Sequence, residues 1–163
     1  MPAPTLNLAD SPFAAVLRVL IRTWKADAAL RRLVKTWILS DGNDQPGSLP
    51  TDQVGVMLTV VRQPDQQYGP STMIAPLVPT LRILSPGNNL LTALNLEHAF
   101  RRALYPVDET ARLAIANALV AAGAEAHWLP TFAAAAELVG GTTPYYIIES
   151  QIQNLRVLWD FNP

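Results

Sequence analysis

The chain has 163 residues, of which 50% are hydrophobic and 15% are charged, and its formal net charge is −1. We expect a single domain over 1–163, since this length suffices for one sizeable core. The near-neutral balance excludes a global attraction to nucleic acid or acidic lipid. The absence of cysteine excludes a disulfide scaffold, a thiolate nucleophile and a cysteine-ligated metal.

Charged residues make up 15% of the chain, whereas average soluble domains carry about a quarter, so much of the surface must be neutral. Self-association would bury the neutral surface that results, and we favour an oligomer over the alternative, an alanine-rich monomer. No apolar run reaches the ~18–20 residues that span a bilayer, and no basic start precedes the apolar part of the N-terminus. We therefore expect a soluble, intracellular chain without a membrane contact.

The N-terminal region predicts a flexible arm and two helices. Residues 1–9 form the arm, and Asp10 or Ser11 caps a first helix with Pro12 in its opening turn. Asp27 caps a second, shorter helix. The first helix buries a stripe at three- and four-residue spacing, which consists of Phe13, Val16, Leu17, Leu20, Ile21 and Trp24.

Positive charge is concentrated in this region. Residues 18–35 hold six basic residues and one acid, a local charge of +5 that leaves −6 for the remainder. Arg18, Arg22 and Lys25, here called the basic row, lie on the side of the first helix away from its apolar stripe. This row is compatible with two interpretations. It could contact an acidic partner or DNA, or it could be a helix face that is simply solvated, and we favour the solvated face.

The middle of the chain predicts a β-hairpin. Residues 40–52 have the composition of a mobile surface loop, and 54–62 have the β-branched character of a strand. A polar turn separates this strand from a second one that begins at Ser71. Pro76 and Pro79 indicate that the second strand is an edge strand or is bulged.

A helix follows the break at 85–87 and ends at 105–106. Its spacing predicts a core-facing stripe of Ala93, Leu96, Phe100, Ala103 and Leu104. Glu97 and Arg101 lie four residues apart, and we expect them to pair weakly on the exposed side.

Residues 107–142 predict an alanine-rich helical insertion. Asp108 caps a helix that ends at Gly123, and its predicted inner face consists of Ala111, Ile115, Ala118, Leu119 and Ala122. A second helix is predicted over 131–139, with the glycines at 140–141 as its stop.

The C-terminal region predicts two strands, over 144–150 and 152–161, that form a final hairpin. The predicted fold is therefore α+β, with a mainly antiparallel four-stranded sheet of two hairpins packed against helices.

No motif supplies a chemistry. His98 and His127 lack a second ligand at metal spacing, no serine lies in a G-x-S-x-G turn, and no glycine-rich phosphate loop is present. The tryptophans are not interleaved with basic residues as in single-strand binders, so we expect them in the core. We predict no catalytic residue, no cofactor and no metal, and hence no enzyme.

Five segments nevertheless carry a family resemblance: ADAALRRLV (26–34), VGVMLTVVR (54–62), PTLRILSP (79–86), AFRRALYP (99–106) and NLRVLWDF (154–161). In this order they resemble the tail-terminator (tail-completion or minor tail) proteins of long-tailed bacteriophages. The resemblance covers 12–106 and 143–161, and the chain departs from the family pattern at 107–142.

The resemblance implies a structural virion protein of the tail or neck, assembled in the bacterial cytoplasm. Such a protein forms a homo-oligomeric ring, typically a hexamer, that caps the tail tube and joins it to the neck or connector protein, while DNA passes through the lumen without specific binding. The alternatives are another neck protein, a baseplate adaptor, or a non-viral α+β binding module. The expected contacts are the basic row and two polar loops, the latter through Asp41, Asn43, Asp44, Gln66, Gln67 and Tyr68.

Overall fold

A computed structural model describes residues 11–38, 48–125 and 131–160. The described residues form four helices, which are α1 (Pro12–Ala26), α2 (Ala28–Leu33), α3 (Leu90–Leu104) and α4 (Glu109–Ala122). They also form seven strands, which are β1 (Thr36–Ile38), β2 (Gly55–Arg62), β3 (Gln66–Gln67), β4 (Thr72–Pro86), β5 (Thr131–Val139), β6 (Tyr145–Gln153) and β7 (Leu155–Asp160). No helix in these ranges is long and apolar enough to cross a membrane.

The seven strands form one mixed sheet. Its order is β1-β2-β4-β6-β5, while β3 and β7 both pair with the first half of β4. β1 is parallel to β2, and the other strand pairs are antiparallel. The chain is therefore α+β, but the prediction of a four-stranded antiparallel sheet is wrong. Strands as short as β1 and β3 contain too few residues to show a two-residue alternation.

The helix predicted over 131–139 is instead strand β5. It pairs with β6 over its whole length, from Thr131 opposite Gln153 to Val139 opposite Tyr145. Alanine favours helix in an isolated segment, but here pairing with an existing strand overrides that preference. The two glycines read as a helix stop form the hairpin loop, where Gly141 has a φ of 132° that disfavours other residues.

The predicted final hairpin is also wrong, because β6 and β7 run in the same direction along β4. Gln151 lies opposite Thr80 and Leu155 lies opposite Leu77. Between these pairs, the three residues 152–154 therefore face the two residues 78–79, which is a one-residue β-bulge. Asn154 adopts a φ of 62° there, a conformation that asparagine tolerates better than most residues. The bulge moves the buried positions from even numbers in β6 to odd numbers in β7.

β4 lies inside the sheet, between β2 and β6, so it is not an edge strand. Pro79 lies opposite the bulge, in the gap between the β4–β6 ladder and the β4–β7 ladder. The extra residue lies in the β6–β7 segment, and β4 pairs with β2 without interruption from Leu77 to Leu84, so β4 is neither an edge strand nor itself bulged, and both predicted explanations for its prolines are wrong.

The core lies between one face of the sheet and the helices α1 and α3. Both predicted stripes are confirmed, with Trp24 and Phe100 buried as their largest members. The indole Nε1 of Trp24 donates a hydrogen bond to the carbonyl of Phe100 at 3.2 Å, and the Phe100 ring also lies 6.0 Å from that of Trp37. This contact fixes α1 against α3. The sheet side of the core includes Leu77, Leu81, Ile83, Ile148, Ile152, Leu155 and Val157.

Candidate protein–protein interface

Strand β5 is an open edge of the sheet within the described part of the chain. It pairs with β6 on one side, and seven of its nine residues are exposed. Half of its backbone N–H and C=O groups therefore point away from the sheet. An edge of this kind is a template on which another strand can pair.

β5 also lacks the features that usually block such pairing. Natural edge strands are commonly protected by lysine, proline or inward-pointing charges, whereas Glu137 is the one charged residue of this strand. The central run 133–136 consists of alanine, which is depleted in strands and contributes little packing. Pairing on the open edge would therefore stabilise a strand that its own side chains hold weakly.

α3 runs alongside β5 on the helix-covered side of the sheet. The Glu97 carboxylate accepts a hydrogen bond from the hydroxyl of Ser150, which lies opposite Ala134 of β5. One turn later, the Arg101 guanidinium lies 5.1 Å from the ring centroid of Phe132. α3 is therefore antiparallel to β5, and the helix stripe that contains Glu97 faces this strand.

The same stripe continues toward the start of α3 as exposed leucines, because Leu90 and Leu94 precede Glu97 by seven and three residues. Leu90 is 41% exposed, Leu94 is 42% exposed, and Leu138 of β5 is 47% exposed. The apolar residues of helix and strand on this side are Leu90, Leu94, Ala134, Ala136 and Leu138, and we call the surface that they define the α3–β5 trough. Exposed leucines beside an open strand edge are typical of an interaction surface.

A buried polar cluster lies next to these residues, where Glu97 of α3 meets Ser150 of β6. Glu97 is 5% exposed. Its carboxylate accepts hydrogen bonds from Ser150 Oγ at 2.6 Å and from Arg101 Nε at 2.5 Å. The prediction of an exposed, weak Glu97–Arg101 pair is wrong, because β6 lies beneath this side of the helix. A buried carboxylate needs such donors, so the cluster fixes α3 to the sheet.

α4 presents a second apolar surface. Of its predicted inner face, Leu119 alone is buried, and Leu113 and Val120 are exposed. The exposed residues of the turns between these two positions carry no charge. This face was missed because alanine on every side of the helix hides which side is buried.

The basic row lies on α1, where Arg22 is exposed and Arg18 and Lys25 are half-buried. Arg31 and Arg32 of α2 add two further exposed cations nearby in the chain. Arg62, Arg82, Arg101 and Arg156 form salt bridges with nearby carboxylates. Arg18 and Arg22 are thus placed to meet an acidic surface, although no contact of the described residues joins this row to β5.

The predicted contacts at 66–68 lie at the tip of the β2–β4 ribbon. Gln66 and Gln67 form β3 and are exposed, and Tyr68 is exposed beyond them. The amide of Tyr68 donates to the carbonyl of Thr72 at 2.9 Å, so the tip has a defined backbone. The other predicted contacts, Asp41, Asn43 and Asp44, lie outside the described residues, as do His127 and the arm 1–9.

A cleft of about 760 Å³ lies on the helix-free face of the sheet, at the bulge. Its polar lining consists of Gln63, Gln151, Gln153, Asn154 and Arg156. The binding-module alternative predicts a pocket between the helices and the sheet, whereas this cleft is formed by strands alone. Its amide groups can exchange hydrogen bonds with a polar ligand.

β5 was the main functional feature that sequence reasoning missed. A usable signal was present, since a Gly-Gly-Thr-Thr-Pro segment between two short runs is typical of a hairpin loop. The described residues contain no group of three His, Asp or Glu side chains that could hold a metal ion. No protein-family model, curated protein or solved structure matches the chain.

Proposed function

We propose that this chain is a structural virion protein that forms a ring, terminates a phage tail tube and joins it to the head–neck complex. The observation that supports this function is the open, nearly uncharged edge of β5 with the α3–β5 trough beside it. Such a surface is suited to a permanent contact between proteins. The family resemblance includes a final hairpin that the chain does not form, so the proposal depends chiefly on this surface.

A ring requires two different patches on each subunit, because a heterologous contact closes by rotation. The β5 edge supplies one patch, and the other side of the subunit must supply the second. A hexamer is the stoichiometry that the resemblance implies. In the assembled virion, the tail tube protein and the neck or connector protein would lie on opposite sides of the ring.

The ribbon tip at 66–68 is the proposed contact with one of these neighbouring rings. It is exposed, carries no charge and has a backbone fixed by hydrogen bonds from Tyr68 and Gly69 to the carbonyl of Thr72. The basic row is the proposed contact with an acidic neighbour. The balance of −6 outside 18–35 is compatible with DNA passing through the lumen without adhering.

The first experiment measures the mass of the full chain by native mass spectrometry and light scattering. A ring of six times the 17.8 kDa chain mass is expected at micromolar concentration. A chain that remains strictly monomeric, even with tail tubes added, contradicts the proposal. The tubes should come from the particle encoded beside this gene, and portal, tube or tape-measure genes in that neighbourhood are expected.

The second experiment measures co-sedimentation of the chain with those tubes. Tyr68→Ala is expected to weaken binding at least tenfold without changing the ring mass. Tyr105→Ala is the matched control, since Tyr105 is also exposed but lies at the end of α3. Equal binding by both variants would remove the ribbon tip from the contact. Binding to a neck or baseplate protein in place of the tube would assign the chain to that other role.

The cleft at the bulge favours a second candidate, a small α+β binding module. This function predicts a monomer or dimer and saturable binding of a polar ligand that protects the amides of Gln151 and Asn154 from solvent exchange. A stable ring with no such protection would exclude it.

A further inference from the structure

Within the described residues, the sheet has a second open segment on the side opposite β5. β1 covers the outer edge of β2 at Gly55, Val56 and Met57. Beyond that point, at 58–62, β2 faces only β4 among the described residues. One subunit therefore carries two unlike open edges on a single sheet, which is the arrangement that a heterologous contact needs.

The strand directions make these two edges compatible. β2, β4, β6 and β5 are successively antiparallel, so β2 points opposite to β5. If the same sheet continues into a second copy, the next β2 meets β5 in the antiparallel sense. Within one copy, Thr59, Thr80, Gln151 and Ala133 lie in one row across the sheet, on its helix-free face. The side chains of 59 and 61 in the next copy would therefore lie on the same face as those of 133 and 135.

We propose that copies of this chain join by antiparallel pairing of β5 with residues 58–62 of β2 in the next copy. The register follows from two limits among the described residues: β5 ends at Val139, and β1 occupies the edge of β2 up to Met57. Leu58 of the next copy then lies opposite Leu138, and Val61 lies opposite Ala135. A shift of one residue would exchange the two faces of the strand.

The apolar side chains fit this register. Val60 lies on the helix-covered side of the sheet, as its even-numbered neighbours Val56 and Leu58 do, and is 37% exposed. Opposite Ala136, it would enter the α3–β5 trough between Ala134 and Leu138. Small alanines on the strand leave room for the incoming valine, while Leu90 and Leu94 cover it from the helix. Pairing would thus bury aliphatic groups of both copies.

This inference rests on the self-association in the proposed function, and it names the surfaces that join. The test uses a convenient property of the chain, its lack of cysteine. Val61→Cys and Ala135→Cys are introduced in separate proteins, which are mixed at micromolar concentration and oxidised mildly. Facing residues of antiparallel strands have Cα atoms about 4.5–5.5 Å apart, within the range that a disulfide bridges. In one copy the two sites are about 20 Å apart, from strand spacing and rise.

The mixture is expected to give a covalent dimer. The double variant, with Val61→Cys and Ala135→Cys in one chain, is expected to give a series of covalent oligomers whose largest member has the ring size. Each single variant alone should stay uncrosslinked. Val60→Cys mixed with Ala135→Cys is the matched control, since these residues lie on opposite faces, and should crosslink at least tenfold less.

Native mass spectrometry of the same reduced samples separates the possible failures. A ring without the Val61–Ala135 crosslink would overturn this inference and leave the proposed function standing. A dimer from Ala135→Cys alone would show that β5 pairs with itself, which also overturns the inference. A chain that is monomeric before oxidation would overturn both proposals.

Discussion

Replacing Ser150 by alanine should destabilise the fold by about 2 kcal/mol, although it removes a single oxygen atom. Ser150 is 2% exposed, and its hydroxyl donates to the buried Glu97 carboxylate at 2.6 Å. A hydrogen bond to a charged group contributes about 1.5–3 kcal/mol, and the loss of a buried donor exposes the full desolvation cost of its partner. Arg101 would remain as a donor, but only from the solvent side, where its side chain is 34% exposed.

The assay is urea unfolding followed by tryptophan fluorescence, with the buried Trp24 as reporter. Protein concentration is held constant because association shifts apparent stability. In a parallel thermal melt, the melting temperature should fall by about 4–8 °C, at about 2–4 °C per kcal/mol for a chain of this size. Ser85→Ala is the matched control, since Ser85 is equally buried on the sheet but does not contact the Glu97 carboxylate, and it should cost less than half as much.

A double-mutant cycle isolates the interaction. Glu97→Leu removes the carboxylate, after which Ser150→Ala should cost at least about 1 kcal/mol less than in the parent chain. If Ser150→Ala is no more costly than Ser85→Ala, or if the two changes are additive, the carboxylate does not depend on this hydroxyl. The assigned role of the cluster in holding α3 against β6 would then be wrong.

Three further changes test other parts of the fold by urea unfolding, followed here by circular dichroism because one of them removes the Trp24 reporter. Trp24→Phe removes the donor to the Phe100 carbonyl and should cost about 1–3 kcal/mol; an unchanged midpoint would mean that this bond does not fix α1. Gly123→Ala should cost at least about 1 kcal/mol, because the residue has a φ of 120° and a new Cβ would lie 3.0 Å from that of Pro12. Asp27→Ala removes the side-chain cap of α2 and should cost about 1 kcal/mol, whereas Asp27→Asn should recover most of it.

The elements that sequence reasoning located correctly have strong periodicity. The stripe of α1 fits one helix face without exception, and β2 has the β-branched residues that favour strands. Trp24 and Phe100 are buried where the pattern places them. In these segments local preference and burial in the fold agree, so either one suffices to find the element.

The elements that it missed depend on partners distant in the sequence. β5 is a strand because β6 is available to pair with it, and its alanines show no preference of their own for that state. Glu97 is buried because a serine 53 positions later supplies a hydrogen bond. The parallel pairing of β1 with β2 joins residues that lie 19 positions apart, such as Thr36 and Gly55.

The candidate interface was predicted only in part for the same reason. The basic row and the ribbon tip could be named because their residue types are polar and local. The α3–β5 trough combines leucines of a helix with alanines some 45 residues further on, and neither set is unusual alone. Arg18 and Arg22 remain predicted contacts, and Asp41, Asn43 and Asp44 lie outside the described residues.

Asn154 bears on how relatives of this chain can differ in length. The bulge absorbs one extra residue, so loss of Asn154 would merge β6 and β7 into one regular strand in which Leu155 still lies opposite Leu77 and Val157 still faces the core. An added residue between Leu155 and Val157, by contrast, would turn Arg156 inward in place of Val157. Relatives should therefore gain and lose residues in the hairpin loop at 140–144, and can lack the residue at 154, while keeping the spacing from Leu155 to Asp160 unchanged.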